Sequence, residues 1–83
     1  MLSAVVTSSA VARATGVHID DTHLRLYLSD GREIAAPLAW FPLLESGTLE
    51  ERQHWRLIGD GAGVHWPDLD EDVSVAGLLG LPD

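Results

Sequence analysis

Trp55-Arg56-Leu57-Ile58-Gly59-Asp60-Gly61-Ala62-Gly63-Val64-His65-Trp66-Pro67-Asp68-Leu69-Asp70-Glu71-Asp72-Val73-Ser74-Val75 places two tryptophans, a glycine-rich turn and an acidic cluster in one quarter of an 83-residue chain. Trp55 to Ile58 and Val64 to Trp66 have the aromatic and β-branched make-up of strand arms, and the glycines between them permit the backbone of a tight connection. Side chains alternate along a strand, so Trp55, Leu57, Val64 and Trp66 can supply one core face. His65 then points the other way, toward an aspartate or solvent. The acids after Pro67 read as a solvated loop carrying negative charge toward a last short helix, Val75 to Leu79. Ser74 can cap that helix, and Gly80 and Pro82 close it.

Working outward, Leu24, Leu26 and Leu28 alternate with Arg25 and Tyr27, the period-two pattern of a half-buried strand, and Ile34 and Ala36 continue it. A two-residue turn at Asp30-Gly31 would set Leu28 opposite Glu33 and mix charged with buried positions. A three-residue loop of Ser29, Asp30 and Gly31, with Gly31 in the left-handed region, instead pairs Leu26 with Ile34 and Leu24 with Ala36. Leu2 to Thr7 and Ala12 to Ile19 read as extended, with Ser8-Ser9 as a break. Pro37 suits the first turn of a helix through the apolar run Leu38 to Leu44, which Pro42 keeps short. Thr48 stands at capping-box spacing from Glu51 and starts a second short helix through His54. The sum is one α+β domain over residues 1–83, with two hairpins in a mostly antiparallel sheet and short helices.

Thirteen acids face five basic residues, all arginine, for a formal charge of -8. Phosphate backbones and anionic lipid repel such a surface, so direct nucleic-acid binding is not expected and a partner with a basic surface is. The absence of cysteine removes disulfides and thiolate chemistry and suits a reducing cytoplasm. No signal peptide or membrane span is read in the sequence.

None of the candidate chemistries assembles. Asp68, Asp70 and Asp72 alternate as in a calcium loop, but Val73 and Leu79 stand where that loop needs glycine and a bidentate glutamate, so folding is expected to need no metal. His18, His23, His54 and His65 lack the paired spacing of a zinc site. Ser29 sits in an ordinary turn without a nucleophile elbow, and the Gly59 to Gly63 run lacks the lysine of a phosphate loop. The expectation is a protein without catalytic residues, cofactor or metal, with Trp40, Trp55 and Trp66 used as core.

Leu28-Ser-Asp-Gly-Arg32, Pro37-Leu-Ala-Trp40, Glu50-Glu-Arg52, Trp55-Arg-Leu-Ile-Gly59, Val64-His-Trp-Pro-Asp-Leu-Asp70 and Ser74-Val-Ala-Gly-Leu-Leu79 together resemble the bacterial family called domain of unknown function 2442, over nearly the whole chain. The resemblance implies a small α+β fold, no established enzymatic activity and genetic pairing with a second small protein, as in toxin and antitoxin modules. Some relatives add a helix-turn-helix domain, and none is expected from residues 1–83, so DNA binding is not expected either. The leading expectation is an antitoxin-like or regulatory partner protein that docks through its acidic face and a strand edge. The alternative is an anti-CRISPR-like inhibitor that mimics nucleic-acid phosphates. In both readings Asp20, Asp21, Asp68, Asp70, Glu71 and Asp72 are the partner-binding candidates.

Overall fold

Alternation along β2 (His23–Leu28) turns Leu24, Leu26 and Leu28 inward, and all three are buried while Tyr27 faces out. The computed structural model describes residues 12–80, so the extended segment expected at Leu2 to Thr7 lies outside the described residues. β2 is the middle strand of an antiparallel sheet, flanked by β1 (Ala14–Ile19) and β3 (Glu33–Pro37). Val17 pairs with Leu26 and Ile19 with Leu24, and an irregularity at Thr15 shifts the β1 register. On the other side Leu26 pairs with Ile34 and Leu24 with Ala36. The connection is the three-residue loop: the Leu28 amide donates to Arg32 (2.8 Å), the Gly31 amide donates to Leu28 (3.1 Å), and Gly31 has φ 91°.

That dihedral favours glycine, yet a Cβ built on Gly31 would meet no atom within 4 Å. Gly31→Val therefore isolates backbone strain from packing, and it is expected to cost about 1–2 kcal/mol. Urea denaturation measures this, and an unchanged midpoint would contradict the left-handed assignment.

Pro37 ends β3 rather than starting a helix, with the Leu38 amide donating to Thr22 (2.9 Å). The expected single helix is split into a 3-10 turn, Leu38–Trp40, and α1 (Pro42–Glu45), with Pro42 at its first position. The cause is local. A proline disfavours helical geometry in the residue before it, and Phe41 takes φ -126°, ψ 78°. The break lets Leu38 and Leu44 enter the core and leaves Trp40 outside. α2 (Leu49–Gln53) follows with the anticipated capping box: Thr48 Oγ1 accepts from the Glu51 amide (3.1 Å), and Glu51 Oε1 accepts from the Thr48 amide (2.8 Å). His54 is its C-cap.

β4 (Arg56–Ile58) and β5 (Gly63–Trp66) form the second hairpin, with Leu57 opposite Val64. Its core face is narrower than expected. Val64 and Trp66 are fully buried, Trp55 is half-buried, and Leu57 is 39% exposed because β4 is an edge strand with no neighbour to cover it. The stretch read as an acidic loop contributes a strand, β6 (Glu71–Ser74), paired with β5 through Val64–Val73 and His65–Asp72. Asp72 faces out and Val73 in, so the ladder tolerates the charges on its solvent side. Ser74 Oγ accepts from the Gly77 amide (2.8 Å) and starts α3 (Val75–Leu79), closed by Gly80.

The two three-stranded sheets share one core, in which Leu24, Leu26 and Leu28 meet Leu38, Leu44, Val64, Trp66, Val73 and Val75. A polar chain ties the helices to it: Trp66 Nε1 donates to the Arg52 carbonyl (3.0 Å), and the Arg52 guanidinium donates to the carbonyls of Leu44 (2.8 Å) and Glu45 (2.7 Å) at the end of α1. A helix end leaves such carbonyls without their usual helical donors, and the Leu44 carbonyl accepts from the Gly47 amide (3.1 Å) as well.

Candidate functional site

The six acidic candidates fall into two sets on different sheets. Asp20 and Asp21 occupy the β1–β2 turn, whereas Asp68 and Asp70 lie in the β5–β6 turn and Glu71 and Asp72 on β6. Asp20 organises its turn: one carboxylate oxygen accepts from the amides of Thr22 (2.8 Å) and His23 (2.8 Å) and from the Thr22 hydroxyl (3.1 Å), and Arg25 lies 3.6 Å from the other. The Thr22 and His23 amides, in that order, with smaller help from the Thr22 hydroxyl and Arg25, hold its carboxyl well below the usual range. Asp30 is lowered in the same direction by the Arg32 amide and guanidinium. Asp21 is exposed.

The second set is partly engaged. Asp68 meets His54 Nδ1 at 2.8 Å, and Asp72 meets His65 Nδ1, so the neighbour of that histidine, expected as an aspartate or solvent, is an aspartate. Arg56, His65 and Asp72 sit at matching positions across β4, β5 and β6, a row that runs from basic to acidic on the solvent face. Glu71 Oε1 accepts from the Asp72 amide (3.1 Å). Asp70 has φ 51°, a geometry that aspartate tolerates better than most residues. Glu50, Glu51 and Gln53 of α2 join His54 and Asp68 in lining a shallow acidic depression.

Depressed acidity at Asp20 and Asp30 sets the sign of an acid response. The folded state takes up these protons less readily than the unfolded one, so their contribution is complete above about pH 4 and is lost as pH falls below it toward the folded values. Asp20→Ala should lower the melting temperature at pH 7, and the gap to the parent should narrow between about pH 4 and pH 2. A gap that widens on acidification would contradict the assigned role.

Among the described residues no group of three or more histidines, aspartates or glutamates is placed to hold a metal ion, and no helix is long and apolar enough to cross a membrane. One feature was missed from sequence. Trp40, expected in the core, is 68% exposed. It lines a cleft of 360 Å³ with Phe41, Asp72, Val73 and Leu78. The adjacent Phe41-Pro42 was the available signal, since a helix interrupted there cannot carry Trp40 and Leu44 on one inward stripe.

The fold is similar to that of a protein of unknown function from Rhodospirillum rubrum, known from a crystal structure, with 28% identity, a TM-score of 0.73, and coverage of 87% of this chain and 90% of that one. It is also similar to the solution structure of an uncharacterized protein from Chromobacterium violaceum, at 24% identity and a TM-score of 0.70, where 82% of this chain matches 64% of that one. The second likeness concerns the fold alone. Comparison with curated proteins returned no match. The family model described as protein of unknown function DUF2442 matches residues 14–81, from the first strand to just past the last helix, and the chain belongs to that family.

Proposed function

We propose that this protein is a non-catalytic interaction module, an antitoxin-like or regulatory subunit whose partner presents a basic surface. The supporting observation is where its own cations lie. Arg13 pairs with Asp60, Arg25 with Asp20 and Glu33, and Arg32 with Asp30, while Arg52 is held by the α1 carbonyls. Among the described residues this leaves Arg56 as the arginine without such a partner, while Asp21, Glu50 and Asp70 have no internal counter-ion. With the chain's own arginines mostly held by its acids and carbonyls, the net charge is still -8, and that favours encounter with a cationic protein surface. A cysteine-free chain suits the reducing cytoplasm, where we place it. Phosphate mimicry ranks second, because a mimic needs one continuous row of charge, whereas Asp20 and Asp21 lie on a different sheet from the other four acids and the Asp20 carboxylate is occupied by its own turn.

Affinity capture from the source cells followed by mass spectrometry identifies the partner, and its association rate against salt tests the reading. The on-rate should fall by about an order of magnitude between low and high salt. Replacing Asp68, Asp70, Glu71 and Asp72 with their amides keeps acceptors for His54 and His65, so the fold should persist while association slows. Wild-type kinetics for this folded variant at low salt would remove the acidic cluster as the docking surface, and salt-independent association of the wild type would remove the electrostatic reading altogether.

A further inference from the structure

Trp40 ends its 3-10 turn with the indole in solvent, two residues after the buried Leu38. Its indole N–H has no hydrogen-bond partner among the described residues. Beside it, the 360 Å³ cleft is lined by half-buried Phe41, by Val73 of β6 and Leu78 of α3, and by Asp72, whose carboxylate also meets His65 Nδ1. A wide aromatic face at the mouth of an apolar hollow is the arrangement that anchors partners. No arginine of this chain is available to cover it: Arg13, Arg25, Arg32 and Arg52 are engaged elsewhere, and Arg56 lies on β4, across β5 from the strand that borders the cleft.

Resting on the interaction reading above, we infer that this cleft receives an arginine or lysine from an extended, alternately basic and apolar segment of the partner. The cation lies over the Trp40 ring with Asp72 close by, and the adjoining apolar side chain fills the hollow between Phe41, Val73 and Leu78. Charge selects this occupant. A second copy of the chain would bring another -8 against the same surface, and like charge opposes that contact. Strand addition along β6 is blunted, because the Glu71 carboxylate already holds the Asp72 amide. Recognition therefore falls to side chains.

The test is an NMR titration of the full chain with a capped tetrapeptide alternating leucine and arginine, beside the same peptide with citrulline, a neutral isostere, in place of arginine. The Trp40 indole signal and the amides from Asp72 to Leu78 should shift. Citrulline should weaken binding roughly fivefold, as should Trp40→Ala, whose urea midpoint should match the parent because the side chain lies outside the core. Equal affinity for Trp40→Ala or for the citrulline peptide would overturn the inference. So would a Trp40 indole already in contact with Leu2 to Val6, or with a second copy, in the free protein. Arginine-dependent shifts confined to other acidic positions would overturn the cleft and leave the interaction module standing, whereas salt-independent association with the identified partner would remove both.

Discussion

Trp66→Ala is expected to remove about 4–6 kcal/mol, a large part of the stability of this domain. Trp66 is the largest of the fully buried side chains among the described residues, and its removal opens a cavity in the core that both sheets share. Truncating a buried tryptophan costs about 3–5 kcal/mol through lost transfer free energy and the residual void. The Arg52 carbonyl also loses its donor, which adds about 1 kcal/mol if no water replaces it. At roughly 0.05–0.15 kcal/mol per residue, a domain of this size has about 4–12 kcal/mol in total. Circular dichroism with urea denaturation should show the loss, and Trp66→Phe should recover most of it by refilling the site. A cost below about 1 kcal/mol for the alanine variant would mean that Trp66 does not hold the two sheets together.

Gly61→Ala should be the next most damaging change, although it adds a single methyl group. Gly61 has φ 92°, and a Cβ there would stand 2.7 Å from the Ala14 carbonyl oxygen and 3.0 Å from Arg13 Cβ. The obstructing atoms include backbone at the start of β1, which cannot swing aside as a flexible side chain does. Dihedral strain of about 1–3 kcal/mol and overpacking of about 1–3 kcal/mol act together. The loop must then lift away from β1, straining the nearby bond from the Val75 amide to the Ala62 carbonyl (2.9 Å). Gly31→Val serves as the comparison, since it meets strain without obstruction. If the two variants lose equal stability, the close approach at Gly61 contributes nothing.

Legibility in the sequence followed the strength of the local pattern. The leucine alternation of β2, the three-residue loop at Gly31, the Thr48–Glu51 box and the Ser74 cap were all readable because each rests on residues within a few positions of one another. β6 was not read as a strand because aspartate and glutamate are poor strand formers, and their density obscured the alternation of Asp72 and Ser74 with Val73 and Val75. The exposure of Trp40 and Leu57 was hidden for another reason. Composition says that a tryptophan is apolar, whereas its burial depends on a helix break and on which strand lies at an edge. The acidic candidates were visible as charge. Their division into a turn staple at Asp20 and histidine partners at Asp68 and Asp72 required the pairing of strands.

Each sheet is a meander of consecutive strands, β1 with β2 and β3, then β4 with β5 and β6, so no strand waits for a partner synthesised far away in the chain. Loop closures of this length take well under a microsecond and hairpins form in microseconds. Low contact order of this kind favours fast folding despite the β content. The non-local contacts are those between the two meanders, where Trp66 lies in the shared core and Gly61 packs against Ala14. The first meander can form as it leaves the ribosome and would expose its leucine face until the second arrives, which makes the order of synthesis itself a hazard that rapid docking keeps brief.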